Sequence, residues 1–149
     1  MTPILKIAKK LDFESNIDVT ADGDLELAIP ILKTNCASIN IKAKVNGAYF
    51  NIEVGGDEIG NNNDSLMNFY YDINNYAMRE IGNLGFYSCS NLAISNIEIY
   101  SEYADFTVNV ITSIIEKFNS YKDSIENEIE KNINKNQPRH PLAGRYQHL

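Results

Sequence analysis

The segment Ser38–Val54, SINIKAKVNGAYFNIEV, carries the clearest pattern in the chain and decides its fold. Apolar and polar residues alternate on both sides of Asn46-Gly47, a dipeptide that favours a two-residue type I′ turn, so the segment predicts a β-hairpin. One face of this hairpin is apolar and consists of Ile39, Ile41, Ala43, Val45, Phe50, Ile52 and Val54. The opposite face consists of Asn40, Lys42, Lys44, Tyr49, Asn51 and Glu53. We expect this polar face to meet water or a partner.

Upstream of this hairpin, the sequence predicts a helix and a second hairpin. Thr2 suits an N-cap and Pro3 a first helical position, and the stripe that follows is Ile4, Ile7, Ala8 and Leu11. Alternating apolar residues flank the turn residues 21–24 and are Ile17, Val19, Leu25, Leu27, Ile29 and Ile31. Pro30 has no N–H group and therefore indicates an edge or a break in the second strand. The two hairpins together predict a four-strand meander.

Downstream, the sequence predicts a helix, two further strands and a long helix. The middle helix is capped by Asn63 or Asp64 and has the stripe Leu66, Tyr70, Ile73, Ala77 and Ile81. Extended chain is predicted at Leu92, Ile94, Ile97 and Ile99, with a bulge or bend at Ser95-Asn96, and at Phe106, Val108 and Val110. A helix beginning at Asp105 competes for the latter three residues, but their β-branched content favours a strand. From about residue 112 the period is helical: Ile114, Ile115, Phe118, Tyr121, Ile125 and Ile129.

This element order predicts an α+β fold. Its antiparallel twisted sheet combines the meander with two further strands, and its helices pack on one face. Residues 1–136 are predicted to form one domain, a usual size for a single core. Because Pro138 ends any helix, residues 137–149 are predicted to form an extended C-terminal arm.

Charge is distributed unevenly along the chain. The net charge is −7, but residues 131–149 contain four Lys or Arg and no acid, which leaves nine basic against twenty acidic residues, or −11, on residues 1–130. Such a body repels nucleic acid and anionic lipid, so neither a readout of nucleic acid sequence nor membrane binding is expected. An acidic body can instead mimic nucleic-acid charge or accept basic protein partners.

The sequence also disfavours most catalytic chemistry. Both histidines, His140 and His148, lie in the predicted arm, so residues 1–136 cannot form a Ser-His, Cys-His or His-metal site. Cys36 and Cys89 have no CxxC partner. The loop after Val54 lacks the spacing of a phosphate-binding or calcium-binding loop. We therefore expect no enzymatic activity, no cofactor and no metal.

Candidate partner-binding residues fall into two groups. The arm has basic and apolar side chains suited to an acidic partner surface: Arg139, His140, Leu142, Arg145, Tyr146 and Leu149. Two tyrosines, Tyr49 and Tyr71, fall outside the apolar faces of their elements, and tyrosine is frequent at protein interfaces.

In element order and in its small, acidic composition, the chain is similar to type III secretion chaperones and to small connector and tail-terminator proteins of tailed phages. This resemblance assigns no residue a role, because fold alone does not define function. Twenty Asn and twenty Ile are typical of AT-rich coding. The sequence thus predicts a structural or interaction protein of a multi-copy assembly, a homo-oligomer or larger, with a virion assembled in the host cytoplasm as one setting. The alternative is a small acidic cytoplasmic inhibitor, immunity protein or secretion-type chaperone that binds a single protein partner.

Overall fold

The computed structural model describes residues 2–35, 37–56, 63–89 and 95–136. They form three helices and one six-stranded sheet, which confirms the predicted α+β fold. In chain order the elements are α1 (Pro3–Leu11), β1 (Ile17–Val19), β2 (Leu25–Lys33), β3 (Ser38–Asn46), β4 (Tyr49–Gly56), α2 (Asp64–Glu80), β5 (Gly85–Cys89), β6 (Ser95–Tyr100) and α3 (Ala104–Asn136). Short 3₁₀ turns, Glu14–Asn16 and Gly82–Leu84, precede β1 and β5.

The sheet has the strand order β1-β2-β3-β4-β6-β5, and every neighbouring pair is antiparallel. The first four strands form the predicted meander. The inner face of the sheet and the three helices contribute to one apolar core. The almost fully buried residues of this face include Leu27, Ile29, Ile41, Phe50, Ile52, Ile97 and Ile99. The helices thus pack on one face, as the alternation in Ser38–Val54 predicted.

The turn between β3 and β4 lies one residue later than predicted. Asn46 pairs with Tyr49, so the two central residues are Gly47 and Ala48, and a type I′ turn centred on Asn46-Gly47 is wrong. Gly47 has φ 62°, whereas Ala48 does not have a positive φ, as in a type II′ turn with glycine first. The predicted and the observed turn place the same side chains of β3 and β4 on the core face, so the predicted faces are correct.

Pro30 lies where the strand pairing of β2 becomes irregular. The β1–β2 ladder covers only Leu25 to Leu27, and the β2–β3 register shifts between Pro30 and Leu32. The missing N–H group of Pro30 therefore falls on a part of β2 that β1 does not cover and next to an irregularity. The predicted break is confirmed, whereas β2 is not an edge strand: it lies between β1 and β3, and only its part beyond Leu27 has no neighbour on the β1 side.

The predicted helix starts are confirmed in detail. Thr2 Oγ1 accepts a hydrogen bond from Leu5 N at 3.3 Å, and α1 ends at Asp12, whose φ of 64° places it in the left-handed region. Asn63, rather than Asp64, caps α2 through a hydrogen bond from Leu66 N to Asn63 Oδ1 at 2.9 Å. The predicted apolar stripe of α2 is buried along its whole length.

The strand predicted at Phe106–Val110 is wrong, because these residues form the first turns of α3. Thr107, Val110, Ile111 and Ile114 are fully buried, at the spacing of a helix that packs on one side. Burial of this stripe against α1 and α2 outweighs the weaker preference of β-branched residues for strands. The helix therefore begins at Ala104, as the competing interpretation required.

The second additional strand is instead β5, which follows α2 after one 3₁₀ turn. Ile97 and Ile99 lie in β6 as predicted, whereas Leu92 and Ile94 fall outside the described residues. The predicted arm, residues 137–149, also lies outside them.

Candidate interaction surfaces

The outer face of the sheet is not covered by any described element. Its side chains come from alternate positions of the central strands, and the ladder aligns them in rows: Glu26, Lys44, Asn51 and Glu98 in one, and Lys42, Glu53 and Asn96 in the next. We call this the outer sheet face. It is the polar face predicted from Ser38–Val54, now extended onto β6.

Two tyrosines form a rigid pair on the outer sheet face. Tyr49 and Tyr100 are directly opposite each other on β4 and β6, and their rings stack with centroids 4.5 Å apart at an interplanar angle of 28°. A hydrogen bond between their side chains raises the pKa of Tyr49, and desolvation and the nearby charge of Glu98 raise it further. Tyr100 remains 37% exposed. The predicted binding residue Tyr49 therefore presents a fixed aromatic surface together with a partner that the sequence prediction missed.

A polar network fixes the side chains next to this pair. Asn51 is only 7% exposed, and its Nδ2 donates to Asn96 Oδ1 at 2.8 Å and to Glu98 Oε2 at 3.2 Å. Fixed side chains lose little entropy when a partner binds. The outer sheet face is therefore pre-organised around β4 and β6.

Charges at the other end of the outer sheet face form no ion pair with another described residue. Lys42, Lys44 and Glu53 are exposed, and the ion pair found among the described residues is elsewhere, between Lys10 and Asp105. Lys42 is opposite Glu53 across β3 and β4, so the face carries both signs. Such a surface is suited to polar contacts with a protein.

Tyr71 lies on the helical side of the molecule, away from Tyr49. It is 58% exposed on α2, and Met78, two turns later, is 59% exposed. The structure thus places the two predicted surface tyrosines on different faces and does not bring them into one site.

Helices α2 and α3 run antiparallel and are joined by polar as well as apolar contacts. Glu128 accepts hydrogen bonds from the first N–H groups of α2: Asp64 N to Oε1 at 2.8 Å and Ser65 N to Oε2 at 3.1 Å. Phe69 packs edge-on against Phe118 with centroids 5.1 Å apart. These contacts hold the C-terminal half of α3 in place.

An acidic cleft lies between that half of α3 and the β2–β3 connection. It has a volume of about 530 Å³ and is lined by Thr34, Asn35, Asp123, Glu126, Asn127, Ile129 and Glu130. None of its three carboxylates has a Lys or Arg partner among the described residues. Asp123, Glu126 and Glu130 have i, i+3, i+7 spacing, which places them on one face of α3.

The remaining predicted partner-binding residues, Arg139, His140, Leu142, Arg145, Tyr146 and Leu149, lie outside the described residues. The side chains of Cys36 and Cys89 also lie outside the described part of the structure. Among the side chains that are described, no group of three or more His, Cys, Asp or Glu is arranged to hold a metal ion. No described helix combines the length and apolarity needed to cross a membrane.

The comparisons with known proteins assign no family. No protein-family model, curated protein or solved structure matches this chain.

Proposed function

We propose that this protein is a non-enzymatic structural protein of a multi-copy assembly, with a tailed-phage connector or tail component as its setting. In this assembly the arm, residues 137–149, contacts a neighbouring copy. The observation that carries the proposal is the outer sheet face, which is uncovered and carries the fixed Tyr49–Tyr100 pair. Pre-organised aromatic side chains are typical of protein interfaces.

Charge and composition support the same proposal. The basic arm and the acidic body have opposite charges within one chain, which favours contacts between copies. The phage setting depends on the element order, which is similar to that of small connector and tail-terminator proteins, and on an Asn- and Ile-rich composition typical of AT-rich coding.

The proposal is tested by measuring the mass of the full-length protein by light scattering at increasing concentration. We expect the mass to rise above that of one chain, and a strict monomer at every concentration would count against the proposal. Tyr100→Ala should weaken association without unfolding the chain, because Tyr100 is at the surface. Tyr71→Ala is the matched change on the opposite side, and an effect of Tyr71→Ala alone would place the interface on the helices.

A second candidate function is favoured by the net charge of −11 on residues 1–130. An acidic inhibitor, immunity protein or chaperone would use this charge to bind one basic protein partner. It would form a complex of fixed stoichiometry with that partner and would not self-associate. The concentration series therefore separates the two functions.

A further inference from the structure

Charge complementarity favours an acidic acceptor for the basic arm, and the described residues include a cleft lined by three carboxylates. Helical spacing places Asp123, Glu126 and Glu130 along one side of α3, facing Thr34 and Asn35 of the β2–β3 connection. Ile129, 6% exposed, contributes an apolar part of the lining. The cleft thus combines carboxylates that have no Lys or Arg partner in the described part of the chain with hydrogen-bonding groups and an apolar contact.

We infer that this acidic cleft receives the C-terminal arm, residues 137–149, of a neighbouring copy of the chain. The inference rests on the proposed multi-copy function and names the surface that the arm contacts. Arg139 and Arg145 provide positive charges that can pair with the carboxylates of Asp123, Glu126 and Glu130. A guanidinium group has the geometry to donate two parallel hydrogen bonds to one carboxylate. Leu142 and Tyr146 provide apolar groups for the part of the cleft formed by Ile129.

The position of the cleft on α3 favours a neighbour over the same chain. α3 continues past Glu130 to Asn136, which carries the start of the arm about 9 Å beyond the cleft at 1.5 Å per helical residue. Pro138 and Pro141 favour extended backbone in the residues before them, so an immediate reversal toward the same cleft is disfavoured. Thirteen residues span at most about 45 Å when extended, enough to reach the next copy.

A head-to-tail contact of this kind uses two different surfaces of each chain. Each copy then offers one arm and one cleft, so the contact can repeat into a ring or a filament. A contact of this kind is therefore compatible with the proposed multi-copy assembly.

The test uses full-length variants with a matched control. Variant one carries Asp123→Asn, Glu126→Gln and Glu130→Gln, which keep the shape of the cleft and remove its charge. Variant two carries Arg139→Glu and Arg145→Glu in the arm. The control carries Asp18→Asn, Asp22→Asn and Asp24→Asn, which remove the same charge from exposed positions on β1 and the turn that follows it. Circular dichroism verifies that all variants are folded.

We expect variants one and two each to associate at least about tenfold more weakly, the sum of a few exposed ion pairs, whereas the control associates like the parent protein. Mixing the two variants should restore one contact, because the intact arm of variant one can enter the intact cleft of variant two. The mixture is therefore expected to associate more strongly than either variant alone.

Each other outcome has a defined meaning. If variant one associates like the parent protein, the cleft is not the acceptor, although the multi-copy function stands. If both variants associate more weakly and the mixture associates no more strongly than either variant alone, the arm does not bind the cleft of a neighbour, and the inference is overturned. If the parent protein is itself monomeric at every concentration, the proposed function and the inference fall together.

Discussion

Asn63 Nδ2 donates a hydrogen bond to the carbonyl oxygen of Ile125, 3.1 Å away, although 62 positions separate the two residues in the chain. The same side chain caps α2 through its Oδ1 atom. One buried amide, 1% exposed, therefore starts one helix and joins it to another.

Replacing Asn63 with alanine should cost about 2 kcal/mol of unfolding free energy, since it removes an N-cap and leaves the N–H group of Leu66 buried without this partner. Chemical denaturation measures this loss. Asn68→Ala, an exposed change on the same helix, is the control and should alter stability by less than about 0.5 kcal/mol. Equal effects of the two substitutions would show that the cap and the contact with α3 contribute nothing.

Tyr121 should make stability depend on pH in the alkaline range. Its hydroxyl donates to Asp72, and this hydrogen bond raises the pKa of Tyr121, with desolvation adding to the effect. The contribution is fully present below the ordinary tyrosine pKa of about 10 and is lost as pH rises from there through the raised value, because the unfolded chain ionises first.

Tyr121→Phe should therefore reduce the slope of stability against pH above about 10. At neutral pH it should cost about 1 kcal/mol for the lost hydrogen bond. Denaturation at several pH values measures both effects. Tyr71→Phe is the control, since Tyr71 is exposed; an unchanged slope in Tyr121→Phe would contradict the prediction.

Asp105 should make stability depend on pH in the acid range. It accepts a hydrogen bond from Lys10 of α1, and this bond, with the positive charge, lowers the pKa of Asp105. The stabilising contribution is present above the ordinary aspartate pKa of about 3.9 and is lost as pH falls through the lowered value.

Asp105→Asn should flatten the acid limb of the stability curve slightly and have little effect at neutral pH, because both side chains are solvated. Acid unfolding followed by circular dichroism measures the change, with the exposed Asp123→Asn as control. A large loss of stability at neutral pH would mean that the ion pair is more important than its exposure indicates.

Gly85 allows β5 and β6 to approach. A Cβ atom at this position would lie 1.8 Å from the carbonyl oxygen of Glu98, which is backbone and cannot move aside cheaply. We expect Gly85→Ala to cost at least about 2 kcal/mol or to detach β5, as substitutions that strain the backbone do.

Gly47→Ala is the matched comparison for Gly85→Ala. Gly47 has φ 62° but open space around it, so alanine there should cost only about 1 kcal/mol of conformational strain. Denaturation gives the two costs, and hydrogen exchange in β6 reports detachment of β5. Equal costs would contradict the predicted clash.

The faces of the central strands could be predicted from sequence, whereas positions that depend on distant packing could not. Alternation placed Ile41 and Ile52 in the core correctly because side-chain direction in a strand is local. The exact turn could not be predicted, since turns at Asn46-Gly47 and Gly47-Ala48 give the same faces. The local pattern of Phe106–Val110 favours a strand weakly over a helix, and packing of α3 against α1 and α2 reverses that preference.

The candidate surfaces were predictable in part for the same reason. The strand pattern is enough to place Tyr49 on the polar face of the sheet. Its pairing with Tyr100 also requires β6 to lie beside β4, although a helix separates these two strands in the sequence. The acidic cleft likewise requires the β2–β3 connection to lie beside α3. Helical spacing alone could identify the three acids as neighbours but could not provide the opposite wall.

The position of β6 beside β4 has a consequence for how the chain folds. Neighbouring strands of the meander pair across short turns, whereas β6 pairs with β4 over separations from 41 residues, for Val54 and Ser95, to 51, for Tyr49 and Tyr100. Closing the longer loop costs more entropy, so we expect the meander to form first. Pulsed hydrogen exchange should then show protection in β3 before β6, and the reverse order would contradict this pathway. Before β6 pairs with β4, β4 is an unpaired edge strand with Phe50, Ile52 and Val54 exposed. We expect the chain to be most prone to aggregate in this partly folded state.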